Sequence, residues 1–201
     1  MNLLLLWLSI VTEIDMGIKN PFKRLDPQSP PPTFDCGDDD LNEFFEVDAS
    51  VWQNELLTVT YYLELNEGIA LYFSLSNDKI TADTLPKNFW RKIKAKFPHR
   101  KHRGDYPAVK IGRFAVATPF RRQPEHWGSR AMDFIKEWMV SENKTGCCFL
   151  TVDAYPSAVP FYKKNGFKFL GLKEEERYDA FLKDSKNEDT IAMYFSLKSI
   201  I

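Results

Sequence analysis

The hydrophobic rhythm of the chain changes several times, and each change marks an element. Leu41, Phe44, Phe45, Asp48 and Trp52 fall near helical spacing, which predicts a helix beginning near Leu41 with apolar side chains on most of one face. Asp38-Asp39-Asp40 supplies its N-cap and first-turn carboxylates. From Leu56 to Leu65 the period falls to two: Leu57, Val59, Tyr61 and Leu63 alternate with Thr58, Thr60, Tyr62 and Glu64. Asn66-Glu67-Gly68 punctuates that run and Ile69 to Leu75 follows as a partner strand, the pattern of a hairpin. A helix is expected from about Ala82 to Lys96, interrupted or restarted at Pro86. The strand-like run Val109 to Val116 then leads through a basic turn into a helix over about 127–142. A strand over 147–153, a helix over 157–164, a strand over 167–170 and a last strand from Thr190 to Leu197 complete the order. Residues 26–33 are proline-rich and read as an irregular link, because proline fixes φ and removes a donor.

Helix, hairpin and helix followed by β-α-β-α-β is a mixed α/β order, not a regular doubly wound one. At 201 residues, with 44% apolar and 14% aromatic residues, the chain has material for one globular domain with a real core. Lys plus Arg (27) nearly balance Asp plus Glu (28), which argues against a nucleic-acid binder working by overall charge. Locally, Lys87 to Arg103 is strongly basic, including Arg91, Lys92, Lys94, Lys96, Arg100, Lys101 and Arg103. A solvated helix face and loop explains such a run. A platform for a polyanion, RNA or the phosphates of a coenzyme, is the sharper alternative.

Cys36, Cys147 and Cys148 are odd in number and two are adjacent, so they predict free thiols, a reducing compartment and a cytoplasmic protein. Cys147-Cys148 is expected in a buried strand, and no metal-ligand spacing appears. The apolar opening, Leu3 to Val11, lacks preceding positive charge and a cleavage site, and it is too short for a membrane span. We therefore expect residues 1–15 to be a non-native or annotation-derived extension with Met16 as the true start, leaving 16–201 as a single domain and no membrane partner.

Two segments carry chemistry. The first is the strand ending in Phe114-Ala115-Val116, followed by Arg121-Arg122-Gln123-Pro124-Glu125-His126-Trp127-Gly128-Ser129. A strand that delivers backbone amides and arginines to a helix start suits an anionic, phosphate-bearing ligand. The second is Phe161-Tyr162-Lys163-Lys164-Asn165-Gly166-Phe167, in which Tyr162 offers a proton donor. Asp153 and Glu55 are candidate bases by residue type only, and a water relay to solvent serves equally well.

Taken together, Gln123-x-x-His126-x-Gly128 and Phe161-Tyr162-x-x-Asn165-Gly166-Phe167 resemble the GNAT family of N-acetyltransferases, over roughly residues 34–197. The family turn reads Gln/Arg-x-x-Gly-x-Gly/Ala. Here His126 replaces the central glycine, Pro124 removes a backbone donor, and the turn is about two residues longer than usual. The resemblance implies a GNAT-like fold, a central, mostly antiparallel mixed sheet flanked by helices, with acetyl-coenzyme A as cosubstrate and no metal. It implies that Phe114, Ala115 and Val116 offer a strand edge to the pantetheine arm, and that Arg121, Arg122, Gln123, His126, Gly128 and Ser129 surround the pyrophosphate. Tyr162 is then the acid that protonates the departing thiolate, with direct attack by a primary amine.

The opening Phe34-Asp35-Cys36-Gly37-x-x-x-Leu41-Asn42-x-Phe44-Phe45 looks like that of a GNAT subgroup containing tRNA-acetylating toxins of toxin–antitoxin pairs. In that subgroup the tyrosine matching Tyr162 is the general acid and the acceptor is the amine of an aminoacyl-tRNA. Three readings follow: acetylation of a small-molecule or peptide amine, acetylation of aminoacyl-tRNA by a toxin with an antitoxin partner, and a coenzyme-binding or interaction module impaired at the altered turn. Aromatics near Trp138 or Phe195 are candidate surfaces for a homodimer.

Overall fold

The computed structural model describes residues 20–81, 91, 104–143, 146–185 and 189–201. The proposed extension 1–15, the helix expected over 82–96 and the basic run to Arg103, Arg91 apart, lie outside them. The fold is α/β, with a mixed seven-stranded sheet in the order β1-β2-β3-β4-β5-β7-β6. Its strands are β1 (Lys23–Arg24), β2 (Val59–Leu65), β3 (Gly68–Thr81), β4 (Asp105–Val116), β5 (Phe149–Ala154), β6 (Lys168–Phe169) and β7 (Ile191–Ser196). The chain divides into two compact units. One comprises residues up to Ser74 with Arg113–Arg130, and the other Leu75–Gly112 with Ala131–Ile201.

In the first unit, α1 (Asp39–Glu43) runs through a π-helical turn (Phe44–Asp48) into α2 (Ala49–Asn54). The Asp38 carboxylate caps α1, accepting the Leu41 N–H at 3.1 Å as its position predicted. The π turn adds one residue to the helical repeat, and this corrects the expected inner face. After Phe44 and Phe45, both buried, that face continues through Ala49 and Gln53 and leaves Asp48 and Trp52 exposed. Phe45 stacks on Tyr72 with centroids 4.7 Å apart and Phe34 meets the same ring edge-on at 5.0 Å, while the Tyr72 hydroxyl donates to the Leu41 carbonyl at 2.7 Å. Gln53 ties the layers together: its amide donates to the Leu25 carbonyl at 2.6 Å and its oxygen accepts the Thr60 N–H at 3.0 Å.

The strand expected from Leu56 begins only at Val59. Leu56 and Leu57 instead close α2 in a Schellman turn, with Leu57 N–H on the Trp52 carbonyl and Leu56 N–H on that of Gln53. This turn puts Leu56 at φ 59, where glycine is the usual occupant. β2 and β3 are adjacent and joined by two residues, as a hairpin requires.

In the second unit β5 pairs parallel with β4 and antiparallel with β7, which in turn pairs antiparallel with β6. Ile80, Tyr106, Ala108, Phe149 and Tyr194 form a buried cluster. Cys147 and Cys148 lie just before β5, not inside a strand; Cys148 still uses its N–H on the Pro107 carbonyl and its C=O on the Leu197 N–H. The helix expected near 127 is α3 (Trp127–Ser141), and the next is α4 (Val159–Lys164) behind a 3-10 turn over Pro156–Ala158. The periodicity does not predict α5 (Leu172–Lys183), which has no fully buried residue and hence no apolar stripe. Its Glu174 accepts the Ala192 N–H and pairs with Arg177.

Candidate active site

The site residues read from the sequence fall into two groups, one in each unit. The turn between β4 and α3 belongs to the first. Ala117 N–H donates to the Ala70 carbonyl and Thr118 N–H to that of Asp35, each at 2.9 Å, so the end of β4 is anchored on both sides. Arg121 folds back and donates from Nε to the Val116 carbonyl at 3.0 Å, which places its guanidinium at the end of the strand edge formed by Phe114, Ala115 and Val116. Arg121 also lies close enough to Asp35 to help hold that carboxyl below its usual range, after the Gly37 N–H and the Asn42 amide.

Gln123 braces the turn at both ends of its amide. Nε2 donates to the Pro119 carbonyl at 2.5 Å, and Oε1 accepts from Trp127 Nε1 at 3.3 Å. His126 carries the turn into α3: its N–H donates to Gln123 and its carbonyl accepts from Arg130, each at 3.1 Å. His126 has φ 51 and Arg122 has φ 57. The position at which the family pattern has glycine is thus a left-handed one, and here an L side chain occupies it at a cost of about 1 kcal/mol or more. Gly128 and Ser129 lie in the first turn of α3, whose N–H groups have no acceptor within a helix.

Tyr162 belongs to the second unit. It sits near the end of α4, 6% exposed, with its ring edge-on to Phe161 at 5.2 Å and to Phe167 at 5.4 Å. Phe167 N–H donates to the Tyr162 carbonyl and Gly166 N–H to the Lys163 carbonyl, each at 3.0 Å. This is a second Schellman turn, and its left-handed residue is Gly166 at φ 83. A Cβ on Gly166 would stand 3.1 Å from the Phe195 ring. The Asn165 amide closes the helix on the Phe161 carbonyl at 2.8 Å. The spacing Phe-Tyr-x-x-Asn-Gly-Phe therefore describes a locked helix end that fixes the tyrosine. Burial pushes the Tyr162 phenol above its ordinary value, which already keeps a phenol protonated at neutral pH.

Of the candidate bases, Asp153 is engaged by Lys110 Nζ, and Glu55 is exposed at the end of α2. Lys110, Thr151 and Asp78 gather around Asp153 or its strand neighbours, and only strand alternation marks their positions in the sequence. Phe195 is a correction, since it is buried beneath Lys136 Nζ at 4.8 Å and against Phe167 at 5.6 Å and presents no dimer surface. The exposed large apolar residues of the first unit are instead Val47, Val51, Trp52, Leu56 and Leu57.

The acetyltransferase (GNAT) domain family matches this chain over residues 100–183, a stretch that contains the β4–α3 turn, α4 and Tyr162. Over those residues the chain matches the GNAT acetyltransferase domain. No curated protein matches it significantly. Solved structures similar to this chain include AtaT complexed with acetyl-methionyl-tRNAfMet, at TM-score 0.64 and 23% identity, covering 89% of this chain and 95% of that one. AtaTR bound with AcCoA is similar at TM-score 0.60 and 24% identity, covering 89% and 94%. A tyrosine-to-phenylalanine mutant of KacT follows at TM-score 0.62 and 19% identity, covering 90% and 98%. At these identities the likeness establishes a shared fold.

Proposed function

We infer that this GNAT domain transfers an acetyl group from acetyl-coenzyme A to a primary amine by direct attack, with Tyr162 as the general acid. One observation carries the assignment of Tyr162: its phenol is fixed on a helix end locked by Asn165, Gly166 and Phe167, inside the region that matches the acetyltransferase domain. A thiolate leaving the acyl carbon needs a proton, and a positioned phenol, protonated at neutral pH, is able to supply one. Phe114, Ala115 and Val116 offer the pantetheine its strand edge. Arg121, Arg122, Gln123, His126, Gly128 and Ser129 form the pyrophosphate turn, Gln123 by bracing it and Gly128 and Ser129 by their first-turn N–H groups. Among the described residues no group of three or more His, Cys, Asp or Glu is placed to hold a metal ion.

The test is Tyr162→Phe. Turnover falls by about 100-fold or more, the usual contribution of a positioned acid, while calorimetric affinity for acetyl-coenzyme A stays within about twofold. Unchanged turnover removes Tyr162 from the role.

Similarity to AtaT complexed with acetyl-methionyl-tRNAfMet favours a particular acceptor, the amine of an aminoacyl-tRNA. On that reading an antitoxin is the partner, as AtaR is for AtaT in another similar structure, and expression arrests growth. The three free cysteines support a reducing compartment, the cytoplasm, and among the described residues no helix is long and apolar enough to cross a membrane. Acetylation of methionyl-tRNA with steep salt dependence supports this acceptor. Turnover confined to polyamines or peptide N-termini rejects it.

A further inference from the structure

The parallel ladder between β4 and β5 has three rungs: Ala108 with Phe149, Val109 with Leu150, and Lys110 with Thr151. There it stops, although β4 runs on to Val116 and β5 to Ala154. β5 does not fray at this point, because its other edge stays paired with β7 as far as Ala154 and Ile191. The two strands fork, and the fork begins at Lys110 and Thr151.

Polar side chains gather at that fork on one face of the sheet. Lys110 and Thr151 are directly opposite, and Asp153 follows two residues later on the same side of its strand. Lys110 Nζ makes a close ion pair with Asp153 Oδ2, and Thr151 Oγ1 donates to Asp78 Oδ2 at 2.5 Å. Two carboxylates against one ammonium leave the group net negative. The Asp78 oxygen is occupied by a hydroxyl of its own chain, whereas Asp153 holds the ammonium of a partly exposed lysine. The Lys110 side chain is 34% exposed and that of Asp153 46%, so solvent reaches both.

We propose that Asp153 receives the ammonium of the acceptor, and that Lys110 holds its place until the acceptor arrives. The Lys110–Asp153 contact already shows a primary ammonium seated on this carboxylate, the same chemical group that an amine acceptor presents. An ion pair this exposed contributes little to stability, so an incoming ammonium displaces Lys110 at small cost. The residual negative charge then favours cationic acceptors over neutral ones of similar shape. This role rests on the acetyl-transfer reading above and concerns acceptor binding alone.

The experiment measures steady-state kinetics of the whole chain with methionyl-tRNA, spermidine and a peptide with a free N-terminus, alongside calorimetry with acetyl-coenzyme A. Asp153→Asn raises the acceptor KM at least tenfold on the best of these, with acetyl-coenzyme A affinity unchanged, and Asp153→Glu recovers part of the loss. Lys110→Gln lowers the acceptor KM, by about threefold, because the internal competitor is gone. An acceptor KM within twofold of wild type in Asp153→Asn overturns the inference while leaving acetyl transfer intact. A rise in KM in Lys110→Gln equal to that in Asp153→Asn also overturns it, since the pair is then merely structural. A wild-type chain that turns over none of the three acceptors overturns the acetyl-transfer reading and this role with it.

Discussion

The end of α4 and the turn into α3 set the same backbone problem and solve it differently. Each needs a residue in the left-handed region beside a group expected to handle the coenzyme. At the end of α4 that residue is Gly166, with Asn165 and Phe167 closing the helix around it. At the entry to α3 it is His126, with Arg122 in the same region four residues earlier. The first arrangement is relaxed and fixes Tyr162. In the second, backbone strain is retained where a glycine would relieve it, and Gln123 braces the turn at both ends of its side chain. The contrast sets a segment around Tyr162 that keeps the pattern Phe-Tyr-x-x-Asn-Gly-Phe against a β4–α3 turn that departs from the family's glycine pattern.

The largest effect expected is that of Tyr162→Phe on turnover, because it removes the proposed proton donor without disturbing the locked helix end. If the altered turn has abolished function altogether, calorimetry detects no acetyl-coenzyme A binding even in wild type, and the difference between the two regions becomes one between a working and a lost half-site. An alkaline titration comes next. Tyr72, Tyr162 and Tyr194 are all pushed above the ordinary phenol value by burial. Their contribution to stability is therefore complete below about pH 10, the unfolded value, and is lost as the pH rises past it. Absorbance at 295 nm should show these three phenols ionising together with unfolding. Smooth independent titration at the ordinary value contradicts their burial.

Gly166→Ala should destabilise the protein by about 2 kcal/mol, combining left-handed strain with the Phe195 contact, and lower Tm by about 4–8 °C. An unchanged Tm would show that the helix end is not locked as described. His126→Gly should act in the opposite direction, stabilising by about 1 kcal/mol and tightening acetyl-coenzyme A binding as the side chain leaves the turn. Weaker binding would instead make the imidazole a ligand-binding group. Leu56→Gly relieves the same strain at the end of α2, outside both segments. It should gain slightly under 1 kcal/mol, because an exposed leucine has few contacts to lose, and it leaves coenzyme binding unchanged.

Much of the fold was legible because its helices and strands bury one face. Asp38 capping, the α3 and α4 segments and the strands β5 and β7 follow from periodicity and short-range chemistry. Leu56 escaped that reading since a β-like alternation ran straight through a Schellman turn. α5 escaped it because a helix that buries no residue fully leaves no apolar stripe to detect. At the site, Tyr162 was legible through the turn chemistry that surrounds it. Lys110 and Asp78 were not, because charged residues on alternating strand positions look like an ordinary solvated edge until the strands are laid side by side.

What the sequence determined by itself was therefore local: the helices and strands that bury one face, the cap of α1, and which tyrosine has a motif around it. Those features depend on φ preferences and on neighbours a few residues away, so the chain carries them in short words. The tertiary structure alone decided that a π turn moves the buried helix face from Asp48 and Trp52 to Ala49 and Gln53, that Phe195 lies inside, and that Lys110 meets Asp153 where β4 and β5 part. Each of those outcomes joins residues far apart in the chain or depends on what packs against them, and only packing can set such a relation.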